Sequence, residues 1–177
     1  MAVRPIVLYP DPILKQVCRE VDWRDPLAQS VAQDLVDTLR EGPGVGVAAP
    51  QIGFDLRIFV VDVSPKHPGH GLLVLLNPQL LGWEGQVTGR EGCLSIPDYT
   101  ANVTRHSKIV LSGTALDGQL RSLECEGFEA ICVQHELDHL DGVLFLDRVA
   151  CLRTDVYRRK GVKARFESTE YTKGLPQ

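Results

Sequence analysis

Residues 128–140 read FEAICVQHELDHL, and this stretch decides the fold that we predict. Its apolar residues recur at helical spacing and the turn residues Asp141 and Gly142 follow it, so we predict a helix over residues 128–140. Such a helix would be amphipathic and would pack its apolar side into a core. That side is supplied by Phe128, Ile131, Cys132 and Leu140.

The segment His135-Glu136-Leu137-Asp138-His139 gives this helix an HExxH pattern. Residues four positions apart lie about 40° apart around a helix axis, so His135 and His139 would project from one face and could share a metal ion. Glu136 would lie beside that face, where its carboxylate could reach a metal-bound water. The alternative is a polar helix with two surface histidines, because HExxH patterns also arise by chance.

A third metal ligand is needed, because catalytic zinc and iron sites usually have three protein ligands and one open position. The extended protease motif would place a third histidine at position 145, which is Phe145 here, so that geometry is excluded. The ligand must therefore come from another segment. Glu91 and Cys93, in the glycine-flanked segment GREGCLSIP (89–97), are the better placed candidates. Spacing alone does not choose between them.

The other candidate side chains near the motif receive structural interpretations. Cys132 lies one turn before His135 and would crowd the site, so we predict a buried apolar lining residue. Asp138 is either a partner of Arg105 or of a ligand histidine, or a solvated helix carboxylate. Loop or strand-border positions are expected for the remaining histidines, His67, His70 and His106.

Composition narrows the class of protein. The chain has 177 residues, 44% of them apolar, and no long apolar run, so we predict one globular domain over residues 1–177 without a membrane-spanning segment. Its start carries no secretory or transit signal, which favours a cytosolic protein, or an organellar one whose leader has been removed. A net charge of −4 argues against a dedicated nucleic-acid binder, and direct DNA binding is not expected. Five cysteines, an odd number, argue against a disulfide framework.

The end of the chain differs in charge from the rest. From Cys151 onward it has seven basic and three acidic residues. This segment is either a solvated terminal helix or a docking surface. We predict a last helix within residues 147–160 and treat residues 161–177 as a candidate flexible tail.

The remaining elements indicate an α+β domain. A first helix is predicted over residues 26–40, where Asp25 is the N-cap, Pro26 is the first helical residue and an apolar stripe repeats every four residues from Leu27. Three prolines within the first twelve residues predict an extended start. A helix, many strands and then helices differ from regular βαβ alternation. Strands are predicted at residues 56–63, 72–76, 100–103, 108–112 and 119–125, with a turn at Asp117-Gly118.

Residues 44–51 read GVGVAAPQ and form a second unusual segment. Its small residues allow a close backbone approach to another group, and Gln51 is its only polar side chain. The segment lacks the GxGxxG spacing of a nucleotide loop. Taken alone, it is typical of a turn into a buried strand.

Three segments in this order, GVGVAAPQ, EGCLS and QHELDH, closely resemble the three signature motifs of peptide deformylases. The resemblance extends to LYPDPIL (8–14), LNP (76–78) and DHLDGVLF (138–145), so it covers most of the chain through about Arg148. Val47 stands where the family usually has leucine. Pro43 and Thr100 replace an acidic and a basic residue of many bacterial members, which leaves the subclass open.

This resemblance implies a fold and a set of site residues. The fold would be a small α+β domain with antiparallel sheets packed around a central HExxH helix, together with an N-terminal and a C-terminal helix. The metal ligands would be Cys93, His135 and His139. Gln51 and the backbone N–H of Leu94 would stabilise the oxyanion, and Gly46 would bind substrate through its backbone. The methionine side chain would be surrounded by Val45, Phe128, Ile131 and Cys132.

The implied activity is removal of the N-terminal formyl group from formyl-methionine of nascent polypeptides, with release of formate. Metal-bound water would attack the formyl carbon, with Glu136 as general base and then general acid. The family suggests Fe²⁺ as the native ion, and thiolate with two imidazoles also suits Zn²⁺, Ni²⁺ or Co²⁺. The expected partners are formyl-methionyl nascent peptides and, through the basic tail, the ribosome near its exit tunnel. A metallopeptidase and a non-catalytic metal-binding relative are the competing hypotheses.

Overall fold

The first helix begins where the capping residues predict. The computed structural model of this protein describes residues 2–159, and its helix α1 spans Pro26–Glu41. The Asp25 side chain accepts a hydrogen bond from the N–H of Leu27 at 2.9 Å, which satisfies one of the free donors of the first turn. The buried side of α1 includes Val31 and Leu35. Leu27, the first residue of the predicted stripe, is 43% exposed, whereas its neighbour Ala28 is buried.

Within residues 2–159, eight strands form two antiparallel sheets, which together with the helices confirm the predicted α+β class. The strands are β1 (Gly46–Ala48), β2 (Ile58–Val61), β3 (Leu73–Glu84), β4 (Val87–Cys93), β5 (Ile96–Arg105), β6 (Lys108–Thr114), β7 (Leu120–Glu126) and β8 (Val156–Arg158). One sheet has the order β1-β2-β3-β6-β7 and the other has the order β4-β5-β8. The predicted turn at Asp117-Gly118 joins β6 to β7, and Gly118 has a φ of 83°.

The HExxH helix, α2 (Gly127–Leu140), packs against β1, β2 and β7. The expected single apolar side is wrong, because α2 is covered on nearly every side by the rest of the fold. Polar residues of the helix are buried as well, among them Gln134, Glu136, Asp138 and His139. Phe128 at its start remains 38% exposed. A helix in this position requires internal partners for its buried polar groups.

Two elements differ from the prediction near the chain ends. The N-terminal segment is not extended throughout, because Pro12–Lys15 form a 3-10 helix whose first turn is capped by Asp11. The predicted final helix is reduced to α3 (Leu152–Asp155), and the chain then pairs with β5 as β8. Pairing that buries Val156 overrides the local helical preference. Residues 161–177, predicted as a flexible tail, lie outside the described residues.

Strand boundaries show where apolar patterning is incomplete. β3 and β5 are longer than predicted, while β1 and β4 were not predicted as strands. β4 has the sequence VTGREGC, whose two glycines and inward Glu91 and Cys93 hide the usual alternation. Within residues 2–159, no helix has both the length and the apolar character that crossing a membrane requires.

Candidate active site

The side chains of three potential metal ligands lie close together, two of them on α2 and the third at the end of β4. His135 and His139 lie one turn apart, with ring centroids separated by 5.0 Å. The end of β4 brings the Sγ of Cys93 to 3.2 Å from the Nε2 of His139. One donor atom from each of the three residues lies within 4.8 Å of the others. One sulfur and two imidazole nitrogens at this spacing fit a divalent transition metal.

The surroundings of Cys93 favour its thiolate, which is the form of cysteine that binds metal. Burial alone would raise the pKa of its thiol, but the neighbouring His139 and His135 hold that pKa well below its usual value. The thiolate is the ligand form of cysteine. Cys132, in contrast, has a pKa raised to about 12, because burial and the carboxylate of Glu136 both disfavour its thiolate. Its buried neutral thiol fits the predicted apolar lining.

Glu136 places a buried carboxylate beside this cluster. Its side chain is almost fully buried, and Oε2 has no hydrogen-bond partner among the described residues. Burial raises the pKa of Glu136 to about 7, although His135 and His139 oppose the shift. Gly46 of β1 lies against it so closely that a Cβ there would be 2.5 Å from Oε1. Any larger residue at position 46 would therefore displace this carboxylate.

Gln51 is oriented toward the cluster by a hydrogen bond from the backbone of Ala48. It lies in a 3-10 helix, Ala49–Ile52, which follows β1 directly. Its Oε1 accepts the N–H of Ala48 at 2.9 Å, which fixes the orientation of the amide. Its Nε2 then lies 3.4 Å from the Sγ of Cys93 and 3.2 Å from the Oγ of Ser95. Ser95 was not among the residues predicted for the site from the sequence.

Glu91, one of the two candidates for the third ligand, instead contacts His135, one of the potential metal ligands. Its Oε2 lies 2.9 Å from the Nδ1 of His135, so the Nε2 of that ring remains for a metal. Arg105 donates two hydrogen bonds to Glu91, at 2.8 and 3.0 Å. Burial acts to raise the pKa of Glu91, but the hydrogen bonds from His135 and Arg105 outweigh it and lower the pKa to about 2.

The same buried arginine connects to the far side of the helix. Arg105 contacts Asp138 at 2.5 Å, and Arg148 contacts the other oxygen of Asp138 at 2.6 Å. Asp138 is 6% exposed, so the interpretation as a solvated carboxylate is wrong and the ion pair with Arg105 is confirmed. The chain His135–Glu91–Arg105–Asp138 fixes α2 against the hairpin of β4 and β5. Sequence spacing gave no signal for the role of Arg148.

A cleft of roughly 620 Å³ opens over the cluster, within the usual range of small-ligand sites. Every residue predicted for the site lines this cleft except His139, which is buried beneath it. His67, expected only as a loop residue, also lines it and packs on Phe128, with ring centroids 4.3 Å apart. The predicted lining residues are Val45, Gly46, Gln51, Cys93, Leu94, Phe128, Ile131, Cys132, His135 and Glu136.

The two other histidines have partners away from this cleft. His70 contacts the carboxylate of Glu129 at 2.8 Å through its Nδ1. The ring of His106 packs on Trp83, with centroids 5.5 Å apart, and its backbone N–H donates to Gln134. Neither histidine joins the cluster of Cys93 and the motif histidines. As predicted, His70 lies in the loop before β3 and His106 at the border of β5, while His70 also forms a separate group of potential metal ligands with Cys125 and Glu129.

The chain is similar to known proteins over most of its length. A family model described as polypeptide deformylase matches residues 3–155. The peptide deformylase of Syntrophobacter fumaroxidans is 41% identical over 169 residues, which cover 96% of this chain and 99% of that protein. The solved structure of the Thermus thermophilus peptide deformylase is 41% identical, with a TM-score of 0.76 over 83% of this chain and 86% of that one.

A further solved structure contains a peptide. It is a class I type b peptide deformylase from Acinetobacter baumannii with bound Met-Ala-Ser, 32% identical, with a TM-score of 0.78. The match covers 84% of this chain and 99% of that one. The chain therefore belongs to the peptide deformylase family, whose enzymes remove the formyl group from new polypeptides.

Proposed function

We propose that this chain hydrolyses the formyl amide of formyl-methionine at the start of nascent polypeptides, in a metal-dependent reaction that releases formate. The main support for this proposal is the cluster of Cys93, His135 and His139 at a cleft that Cys93, His135, Glu136 and Gln51 line. A metal site, a carboxylate and an amide donor are the groups that hydrolysis of an amide requires.

Cys93, His135 and His139 would hold one divalent cation. When bound, the cation would lower the pKa of a water molecule toward neutrality and polarise the formyl oxygen. A thiolate with two imidazoles accepts Fe²⁺, Zn²⁺, Co²⁺ or Ni²⁺, and the family resemblance favours Fe²⁺ as the native ion. Glu91 would set the ring of His135 in the orientation that binding needs.

Glu136 would act first as the general base and then as the general acid of the reaction. Its Oε2 is free of hydrogen bonds to described residues, so it can accept the proton of the attacking water. The same carboxylate can then donate that proton to the departing amine of methionine. The neighbouring Gly46 keeps the carboxylate accessible, because a side chain at this position would overlap it.

Gln51 and the backbone N–H of Leu94 would stabilise the oxyanion. The amide nitrogen of Gln51 points at Cys93, and Leu94 lines the same cleft. We predict that Gln51→Ala lowers kcat about 10²–10³-fold, the cost of one oxyanion donor. Metal content, measured on the same sample, should remain one ion per chain. A kcat within about threefold of the wild-type value would remove Gln51 from this role.

A second prediction concerns the carboxylate behind His135. Glu91→Gln should weaken metal binding about 10–100-fold, because the neutral amide supports the imidazole less well and leaves Asp138 as the remaining carboxylate partner of Arg105. The metal affinity can be measured by competition with a chromophoric chelator. Glu124→Gln, an exposed carboxylate on β7, is the matched control and should bind metal as the wild type does. Equal affinities in the two variants would contradict the assigned role.

The methionine side chain would occupy the apolar part of the cleft. Val45, Phe128, Ile131 and Cys132 all line it, as the resemblance implies. The relative from Acinetobacter baumannii binds the peptide Met-Ala-Ser, which supports a peptide that begins with methionine as the occupant here. Formyl is the smallest acyl group, and the close packing of Gly46 against the Glu136 carboxylate supports a site that larger acyl groups would not fit.

Several wider assignments stay predictions. We propose that the whole chain acts as one catalytic domain. Docking to the ribosome through the basic end of the chain depends mainly on residues 160–177, which lie outside the described part. A cytosolic location also stays a prediction.

A further inference from the structure

Three cationic side chains line the mouth of the cleft. They are Lys66, Arg90 and Arg159, all exposed. The two carboxylates that line the same cleft, Glu91 and Glu136, are buried within it, and the charge of Glu91 is balanced by Arg105. The mouth therefore presents positive charge on a protein whose net charge is −4.

The structure holds Arg90 in place at this mouth. Side chains alternate along β4, so the inward positions of Glu91 and Cys93 leave Arg90 facing outward. Its guanidinium stacks on the ring of Tyr157, with the Cζ 3.4 Å from the ring centroid. It also donates a hydrogen bond to the Oγ1 of Thr100 at 3.3 Å. Stacking orients the plane of the guanidinium and leaves its other N–H groups available.

Arg159 reaches the same place from the end of β8, the opposite edge strand of the sheet β4-β5-β8. It lies two residues after Tyr157, and its backbone N–H donates to the carbonyl of Asp98 at 2.8 Å. Its guanidinium crosses β4 directly over Gly92, where a Cβ would collide with it. The glycine thus allows Arg159 to lie across the strand toward the cleft.

Neither arginine is neutralised by a carboxylate of the described chain. Elsewhere in residues 2–159, Arg4, Arg19, Arg57, Arg121 and Arg148 each contact an aspartate within 4.0 Å. In the same range, Arg90, Arg159 and Lys66 have no contact of this kind. Two oriented guanidinium groups without a carboxylate partner in this part of the chain are suited to an external carboxylate.

We propose that Arg90 and Arg159 form a subsite for a carboxylate of the peptide substrate, so that the enzyme favours an acidic residue soon after the formyl-methionine. This inference rests on the proposed function, because it takes the cleft as the peptide site. Lys66 strengthens the positive potential of the mouth. The subsite discriminates among nascent chains by charge, whereas the apolar part of the cleft recognises methionine.

The test measures binding of product peptides, so its readout does not depend on turnover. Calorimetry with the metal-loaded protein would compare the affinity for C-terminally amidated Met-Ala-Asp with that for its neutral isostere Met-Ala-Asn. Two further pairs of peptides would carry the Asp or Asn at the second or at the fourth position. We expect one of the Asp peptides to bind about three- to tenfold more tightly than its Asn match at low salt. The advantage should shrink at about 0.5 M salt, because exposed charges are screened.

Variants separate the subsite from a general charge effect. The double variant Arg90→Gln with Arg159→Gln should bind Asp and Asn peptides equally. Arg24→Gln is the matched control, because Arg24 also stacks on an aromatic ring, that of Trp23, but is not among the lining residues of the cleft.

Three results would overturn the subsite: equal binding of all Asp and Asn pairs, an Asp advantage that survives the double variant, or an equal loss of that advantage in Arg24→Gln. Tight binding of all these peptides without any formate release from their formylated forms would instead overturn the proposed function. In that case an Asp advantage that the double variant abolishes would still support the subsite.

Discussion

Cys93→Ala is expected to yield a protein that neither retains metal nor releases formate. Cys93 supplies the single sulfur of the cluster, and its removal leaves two imidazoles from one helix face. Losing a direct ligand should weaken metal binding by more than the roughly 10–100-fold that an outer partner costs. Metal content after dialysis against a chelator and formate release from formyl-Met-Ala-Ser would be measured on the same preparation.

Cys132→Ala is the matched control for this variant. Cys132 is also a buried thiol of the cleft, one turn before His135, yet it lies outside the ligand cluster. It should keep one metal per chain, with its effect confined to KM through the methionine pocket. Stoichiometric metal in Cys93→Ala together with an unchanged rate would show that the ligand assignment is wrong.

Glu136→Gln is expected to separate metal binding from turnover. Glutamine has nearly the same size, but its amide cannot accept and return a proton, so kcat should fall roughly 10²–10⁴-fold. Metal content should stay at one ion per chain, because Glu136 is not a member of the ligand cluster. Glu126→Gln, an exposed carboxylate that precedes the same helix, should retain full activity. A kcat near the wild-type value in Glu136→Gln would show that a group other than Glu136 transfers the proton.

Elements with local signals were predictable from the sequence. The helix α1 follows from Asp25, Pro26 and an apolar stripe, and α2 follows from its helical spacing and the turn at Gly142. The strands β1 and β4 were missed because they are short or rich in glycine, and because β4 turns Glu91 and Cys93 inward where apolar residues would normally alternate. The helix expected after residue 147 was mostly replaced by β8, since pairing with β5 is a tertiary effect.

The site was predictable only in part for the same reason. Helix geometry alone places His135 and His139 together. The third member of the cluster depends on the hairpin of β4 and β5, in which Cys93 pairs with Ile96, so only the resemblance chose it over Glu91. The contact of Glu91 with His135, and the bridges from Arg105 to Asp138, exist only after the hairpin has packed on the helix. No spacing in the sequence encodes those distances.

Metal-dependent deformylation can be tested by measuring formate release from the wild-type protein, first stripped of metal and then reloaded with one equivalent of Fe²⁺ or Zn²⁺. We expect an inactive metal-free protein, and one formate together with one intact Met-Ala-Ser per formyl-Met-Ala-Ser after reloading. Formate release that persists without metal, or cleavage within the peptide instead of at the formyl group, would contradict it.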